Sequence, residues 1–297
     1  MTKWTAADIP DQAGRTVVVT GANSGLGAAT ARALATAGAR VVLACRNTAK
    51  GEAVAADLPG SPEVRRLDLA DLSSVREFAA GLTGPVDVLV NNAGVMALPK
   101  KQTADGFEMQ VGTNHLGHFA LTGLLLDRIT DRVVTVSSAA HRAGHIDLAD
   151  LNFEHRRYGR WSAYGQSKLA NLMFALELQR RLSASGSTVR SMAAHPGYAA
   201  TELQAHTESF QDKLMAVGNR LLAQPAEGGA LPSLYAATAP DLAGGSYLGP
   251  GGMMELRGSP KVVTPNRAAR DPKVAADLWE LSSTLTGVEY TFDQVTA

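Results

Sequence analysis

Thr16-Val17-Val18-Val19-Thr20-Gly21-Ala22-Asn23-Ser24-Gly25-Leu26-Gly27 is a β-branched apolar run that breaks into glycines and then into an alanine-rich stretch. The valines read as a buried strand and the residues after Gly25 as a helix, with a tight turn between them. Glycines in such a turn let the backbone bend sharply and approach a pyrophosphate, whose charge the N-terminus of the next helix favours. The spacing is Gly-x-x-x-Gly-x-Gly, not the Gly-x-Gly-x-x-Gly of many dinucleotide-binding folds. A glycine turn alone can be a mere connection. The strand before it and the helix after it favour the nucleotide reading.

The same alternation continues outward from this stretch. Short β-branched runs predict strands near Thr16–Thr20, Arg40–Ala44, Val64–Leu67, Val86–Val90, Arg132–Ser137 and Thr188–Ala193, with a last short one near Ser246–Leu248. Helices are expected near Gly25–Ala37, Thr48–Leu58, Leu72–Ala80, Ala104–Leu126, Ser162–Leu182, Ala226–Ala237 and Lys273–Leu285. Strands alternating with helices predict an α/β fold: a doubly wound parallel sheet of Rossmann type, with helices on both faces, in a single domain spanning 1–297. Its core is expected at about 14–248, with a C-terminal extension over 249–297. Two segments depart from the alternation. Ala140–Arg160 is a polar, His- and Arg-rich insertion, and Gly197–Gln224 reads as a substrate flap.

Composition narrows the function. Lys+Arg and Asp+Glu balance at 28 each, so no global field draws the chain to nucleic acid or an anionic surface. Arg156-Arg157 with Arg160 is a short basic cluster best read as a solvated loop. The single cysteine, Cys45, excludes an intrachain disulfide, fits a reducing compartment and reads as a buried small hydrophobe. The first ten residues lack the apolar core of a signal peptide, and no run reaches the ~18 apolar residues of a membrane span. A soluble, cytoplasmic protein without a membrane anchor is the expectation. Among the histidines, His115/His118 and His141/His145 have helix-compatible spacings, but no His-Glu-x-x-His occurs and no metal site is expected.

The sequence Tyr164-Gly165-Gln166-Ser167-Lys168 places a phenol and an ammonium on one helix face, where the cation can lower the phenol's pKa. Taken with Gly21, Gly25 and Gly27, Asp68-Leu69, Asn91-Asn92-Ala93-Gly94, Asn114, Ser138 and Pro196-Gly197, this ordered set resembles the short-chain dehydrogenase/reductase family, from about Gly14 to about Leu248. The insertion after Ser138 and the phrase Ala44-Cys45-Arg46-Asn47 resemble its retinol-dehydrogenase-like branch, whose members act on lipophilic alcohols and carbonyls.

The resemblance implies Tyr164 as the acid or base and Lys168 as the group that lowers its pKa and meets the nicotinamide ribose. It implies Ser138 as donor to the substrate oxygen and Asn114 as holder of a relay water. The cofactor would lie along Gly21, Asn23, Ser24, Gly25, Leu26 and Gly27, with Asp68 and Leu69 at the adenine and Asn91, Ala93 and Gly94 beside the adenosine ribose. Pro196, Gly197 and Thr201 would meet the nicotinamide, and His195 is read as structural. Several residues keep a plainer reading beside this one: Asp68 as a helix cap, Ser137 as the donor if the strand register slips by one, and Lys50 as solvent-facing.

Cofactor choice rests on the end of the second strand. An acidic residue there would accept from a ribose 2′-hydroxyl. This strand ends instead in Ala44-Cys45-Arg46, and a forked, permanently charged guanidinium suits a 2′-phosphate. NADP(H) is therefore expected, with a solvated surface arginine as the alternative. Ser138 and Tyr164 lie 26 positions apart, roughly double the shorter spacing common in the family, so Ala140–Arg160 must loop out and return as one wall of the substrate mouth.

Apolar residues around much of the Tyr-bearing helix leave two options, a neighbouring helix of the same chain or a homodimer interface. The expected activity is interconversion of a carbonyl and an alcohol on an apolar small molecule, the flap's Leu203, Phe210, Leu214, Met215, Leu221 and Leu222 suiting such a substrate. Reduction of a C=C bond on the same scaffold and non-catalytic sensing of NADP(H) are the alternatives.

Overall fold

A computed structural model describes residues 3–198 and 224–292. The chain runs β1 (Thr16–Thr20), α1 (Gly25–Thr36), β2 (Arg40–Cys45), α2 (Thr48–Ala55), β3 (Glu63–Arg66), α3 (Leu72–Gly81) and β4 (Val86–Asn91). After a loop come a π-helical turn (Gly112–Leu116) that leads into α4 (Gly117–Leu125), then β5 (Ile129–Val136), α5 (Arg160–Ala184) and β6 (Arg190–Ala194). The C-terminal part adds α6 (Ala226–Thr238), β7 (Tyr247–Pro250), β8 (Pro260–Val262) and α7 (Pro272–Thr286).

The strands form one sheet in the order β3-β2-β1-β4-β5-β6-β7-β8, parallel up to β7, with β8 antiparallel at the edge. This is the single doubly wound domain expected. Successive side chains of a strand point to opposite faces, and both faces here are apolar. Val17 and Val19 pack with Leu34 of α1 and Leu234 of α6, whereas Val18 faces Val75 and Phe78 of α3 and Leu121 of α4. All three valines are fully buried, each contributing about 1.5–3 kcal/mol of transfer free energy. β8 was not expected: its three residues begin at Pro260, a residue an edge strand tolerates because the missing N–H faces no neighbour.

The helix expected from Ala104 begins later. Gln102 pairs with Glu108 in an antiparallel bridge around Gly106, at φ 85°, and helix starts only at Met109. The two apolar faces of α5 also find their explanation. Leu169, Leu172 and Met173 pack with Ala275 and Leu278 of α7, and Phe174 stacks on Trp279 at 5.7 Å. The second face is covered by the chain's own C-terminal helix, which removes the reason for placing another subunit there. Among the described residues no helix is long and apolar enough to cross a membrane.

Candidate active site

The C-terminal ends of β1, β2 and β4 open into a cavity of about 350 Å³. Its lining includes Gly21, Asn23, Ser24, Gly25, Leu26, Gly27, Arg46, Asp68, Leu69, Ala93 and Gly94, and therefore most of the residues expected to hold a cofactor. Gly21 (φ 66°) and Gly25 (φ 52°) take left-handed conformations that side chains resist. A Cβ on Gly27 would fall 2.2 Å from the Gly21 carbonyl, so the turn closes only without one.

Asn91 is set apart from the cavity. Its side chain is fully buried and donates from Nδ2 to Thr122 of α4 at 2.9 Å. The lining asparagine is Asn92, which the sequence reading passed over as a site residue; its amide donates to the Thr20 carbonyl and so ties the two turns together. Asp71, rather than Asp68, caps α3. Asp68 instead accepts from Ala70 N at 3.0 Å and keeps its place on the lining. Arg46 is exposed at the end of β2, with Asn47 and Lys50 also on the cavity wall. Thr201, and the flap beyond Tyr198 up to residue 223, lie outside the described residues.

Ser138, Tyr164 and Lys168 lie outside this lining, and Lys168 comes up behind its Gly94. A Cβ on Gly94 would sit 3.1 Å from Asn114 Oδ1 and 3.4 Å from Lys168 Nζ. Lys168 is buried and donates to the Val136 carbonyl at 3.1 Å; burial pushes its pKa down to about 8. Its ammonium lies 5.9 Å from the centre of the Tyr164 ring. The nearby Ser138 hydroxyl favours ionisation of Tyr164, but desolvation by burial is the larger effect and the phenol's pKa is raised. This differs from the expected lowering by Lys168: at this depth the loss of water is the larger effect. The serine register is also resolved. Ser137 is buried and donates to the Lys168 carbonyl at 2.7 Å, leaving Ser138 as the hydroxyl beside Tyr164.

Asn114 sits in the π-helical turn, fully buried. Its Oδ1 accepts from Val95 N at 2.7 Å, and its Nδ2 donates to the Val95 carbonyl and to Ser167, both at 2.9 Å. Both amide hydrogens are thereby used, so this side chain ties the Gly94–Val95 segment after β4 to α5. A histidine that sequence reasoning considered only as a metal ligand supports it. Thr20 Oγ1 accepts from Asn92 N and Ala93 N at 2.9 Å, so its own hydrogen can go to His118 Nε2, also 2.9 Å away. His118 then carries its proton on Nδ1 and donates to the Asn114 carbonyl at 2.9 Å. Burial holds its pKa down to about 4, which keeps the ring neutral. The only sequence signal for this role is four-residue helical spacing from Asn114.

The insertion loops out and packs back as a wall; of its basic cluster Arg157 is exposed, whereas Arg156 is drawn in. Asp150 accepts from the backbone N–H groups of Glu154, His155 and Arg156, and Ile146, Leu151 and Phe153 are buried. Arg156, from the basic cluster, lies 3.7 Å over the Phe153 ring and is bonded to Gln166. A Cβ on Gly144 would meet the Gly165 carbonyl at 2.4 Å, so the wall lies flat on α5 beside Tyr164. Trp161 is half exposed and meets the Tyr164 ring edge-on at 6.1 Å.

The profile of the short chain dehydrogenase family matches residues 15–212. The chain belongs to the short-chain dehydrogenase family. Within it the chain is similar to retinol dehydrogenase 13 from Homo sapiens, 46% identical over 294 residues that cover 93% of this chain and 86% of the relative. It falls in the retinol-dehydrogenase-like branch of these oxidoreductases, whose reaction interconverts carbonyls and alcohols with a nicotinamide cofactor. Among solved structures, an uncharacterised protein from Mycobacterium Paratuberculosis superposes with a TM-score of 0.86 at 56% identity, covering 98% of this chain and all of the other. A second, described as an NAD(P) dependent gluconate 5-dehydrogenase from Beutenbergia cavernae with bound NADP, gives a TM-score of 0.58 at 28% identity over 77% of this chain and 91% of its own.

Proposed function

We propose that the protein is an NADP(H)-dependent oxidoreductase that interconverts a carbonyl and an alcohol on an apolar small molecule, with Tyr164 moving the proton. The observation that carries this reading is the convergence of three groups: the buried Lys168 ammonium, 5.9 Å from the centre of the Tyr164 ring and just behind Gly94 of the cavity lining, with the Ser138 hydroxyl near enough to Tyr164 to act on its ionisation. A dinucleotide fits the glycine-lined cradle, because a Cβ at Gly21 would reach 2.9 Å from the Ala93 backbone and one at Gly94 would crowd Asn114 and Lys168. Bound there, NADP(H) supplies or takes up the hydride.

The remaining steps belong to the chain. Ser138 donates to the substrate oxygen as negative charge grows on it. The raised pKa keeps the Tyr164 phenol protonated at neutral pH, the state needed to give a proton to an alkoxide. Lys168 places a positive charge within reach of the phenolate that remains. Asn114 holds the Gly94–Val95 end in place against α5. Arg46, with Asn47 and Lys50 beside it, offers a 2′-phosphate a cation and donors, and no carboxylate ends β2 to repel it. The Beutenbergia relative was solved with NADP, and the retinol relative is named for an apolar alcohol.

Replacement of Tyr164 by Phe keeps the ring and removes the proton; reduction of aldehydes, followed by NADPH absorbance, should fall by about 100-fold or more. An unchanged rate would sink the mechanism. Arg46→Ala should weaken NADPH binding by about tenfold or more and leave NADH binding nearly unaltered. Equal losses for both cofactors would remove the 2′-phosphate assignment.

A further inference from the structure

Glu255 is an odd residue to find where it is. It and Met254 both have left-handed backbones, with φ 58° and 53°, and neither is glycine. Such strain persists only where the surroundings hold it. Here the side chain supplies the hold. Glu255 Oε2 accepts from His195 Nε2 at 3.0 Å and from Arg142 Nη2 at 2.8 Å.

The two donors come from different loops. His195 begins the turn after β6, and Arg142 lies in the 3₁₀ segment Ala139–Ala143, which Ser138 caps. β5 and β6 are parallel neighbours, with Val136 opposite Ala194, so both loops leave the same edge of the sheet. That edge is where open α/β sheets bind their ligands.

The histidine transmits the contact further. Gly197 N donates to His195 Nδ1 at 3.2 Å, so the ring proton sits on Nε2 and points at the carboxylate. Burial pushes the pKa of His195 down to about 4 and the ring is neutral. Around it the space is fitted closely. A Cβ on Gly249 would lie 2.1 Å from Nε2, and one on Gly197 would lie 2.4 Å from the Leu256 carbonyl. Tyr198 N donates to that same carbonyl at 2.9 Å. On the other side, His141 Nδ1 meets the Ser138 carbonyl at 2.7 Å, so the segment bearing Arg142 is fastened to Ser138 itself.

We propose that Glu255 is a positioning residue that clamps the Pro196–Gly197 turn, through His195, to the Ser138-bearing segment, through Arg142, and so fixes how the two loops face each other across the reaction site. This rests on the proposed carbonyl–alcohol chemistry. In that setting the turn after β6 faces the nicotinamide end of the cofactor, Ser138 faces the substrate oxygen, and Glu255 touches neither.

The test compares NADPH with 2′-phospho-ADP-ribose, the same molecule without its nicotinamide, by isothermal titration calorimetry. Glu255→Gln keeps the shape and removes the charge. It should raise the NADPH Kd by about tenfold, the scale of one charged hydrogen bond, and leave the Kd of 2′-phospho-ADP-ribose within about twofold. Arg142→Ala, at a partly exposed side chain, should leave both Kd values alone and raise KM for the carbonyl substrate severalfold. Equal weakening of both ligands by Glu255→Gln would mean general damage to the fold and overturn the clamp, as would no weakening of either. Because the readout is binding, the clamp is decided even if Tyr164→Phe proves active and the proposed reaction fails.

Discussion

Lys168 holds a cation where water cannot reach it, and that burden has a measurable sign. Its pKa falls from 10.5 to about 8, a difference worth about 3 kcal/mol against folding while the ammonium is present in both states. Below about pH 8 both folded and unfolded chains carry the proton and the full cost applies. Between pH 8 and 10.5 the folded chain sheds its proton first, the unfolded chain binds more, and stability from this group recovers as pH rises. Lys168→Met removes the charge at similar length, and the Val136 carbonyl keeps its other donor, Asn171 Nδ2 at 3.1 Å. The variant should therefore be inactive yet more stable by about 1–3 kcal/mol at pH 7 in urea unfolding, with the advantage shrinking toward pH 10. A variant less stable at pH 7, or a pH-independent difference, would contradict the assignment of a desolvated ammonium.

Among the elements, α7 decides more than its place at the end of the chain suggests. Trp279 is nearly buried; it stacks on Phe174 of α5, meets Phe119 of α4 edge-on at 5.1 Å and carries the Arg181 guanidinium 4.5 Å from its centre. Trp279→Ala opens a cavity between three helices and should lower unfolding free energy by about 3–5 kcal/mol, read as a shifted urea midpoint with an unchanged slope. A loss below about 1 kcal/mol would mean α7 is only loosely docked. The apolar second face of α5 was visible in the sequence, but its partner was not, because periodicity shows that a face must be covered and not by what. The start of the helix leading to Asn114 is hidden in the sequence for a related reason. Residues 104–108 have helix-compatible composition, and only the tertiary hairpin around Gly106 takes them out of the helix. The basic cluster within the insertion reads from composition as a solvated loop, which fits exposed Arg157 but not Arg156: Asp150, one carboxylate gathering three backbone N–H groups, folds a segment that propensity leaves open.

At the scale of the whole molecule, the strand–turn–helix at Val17–Gly27 and the β-branched runs after it were enough to read the sheet, because both faces of a parallel sheet must be apolar and few other sequences satisfy that. What composition could not supply was the wiring between loops at its C-terminal edge: Thr20 to His118 to Asn114, and Gly197 to His195 to Glu255, whose long links, Thr20–His118 and His195–Glu255, join residues 98 and 60 positions apart. Those links meet around a cleft built to hold a nucleotide, so occupancy should stabilise the entire fold rather than one lobe. A ligand that binds only the folded chain adds about 2.7 kcal/mol at 100 times its Kd. For a chain of this size each kcal/mol raises the melting temperature by about 2 °C, so NADPH at 100 times its Kd should raise it by about 4–5 °C in a single cooperative transition. NADH at the same concentration should give a clearly smaller rise, and Arg46→Ala should bring the two cofactors' shifts together by lowering that of NADPH. Differential scanning calorimetry reads all four conditions. A shift larger with NADH, or a difference that survives Arg46→Ala, would place the discrimination elsewhere than at the end of β2.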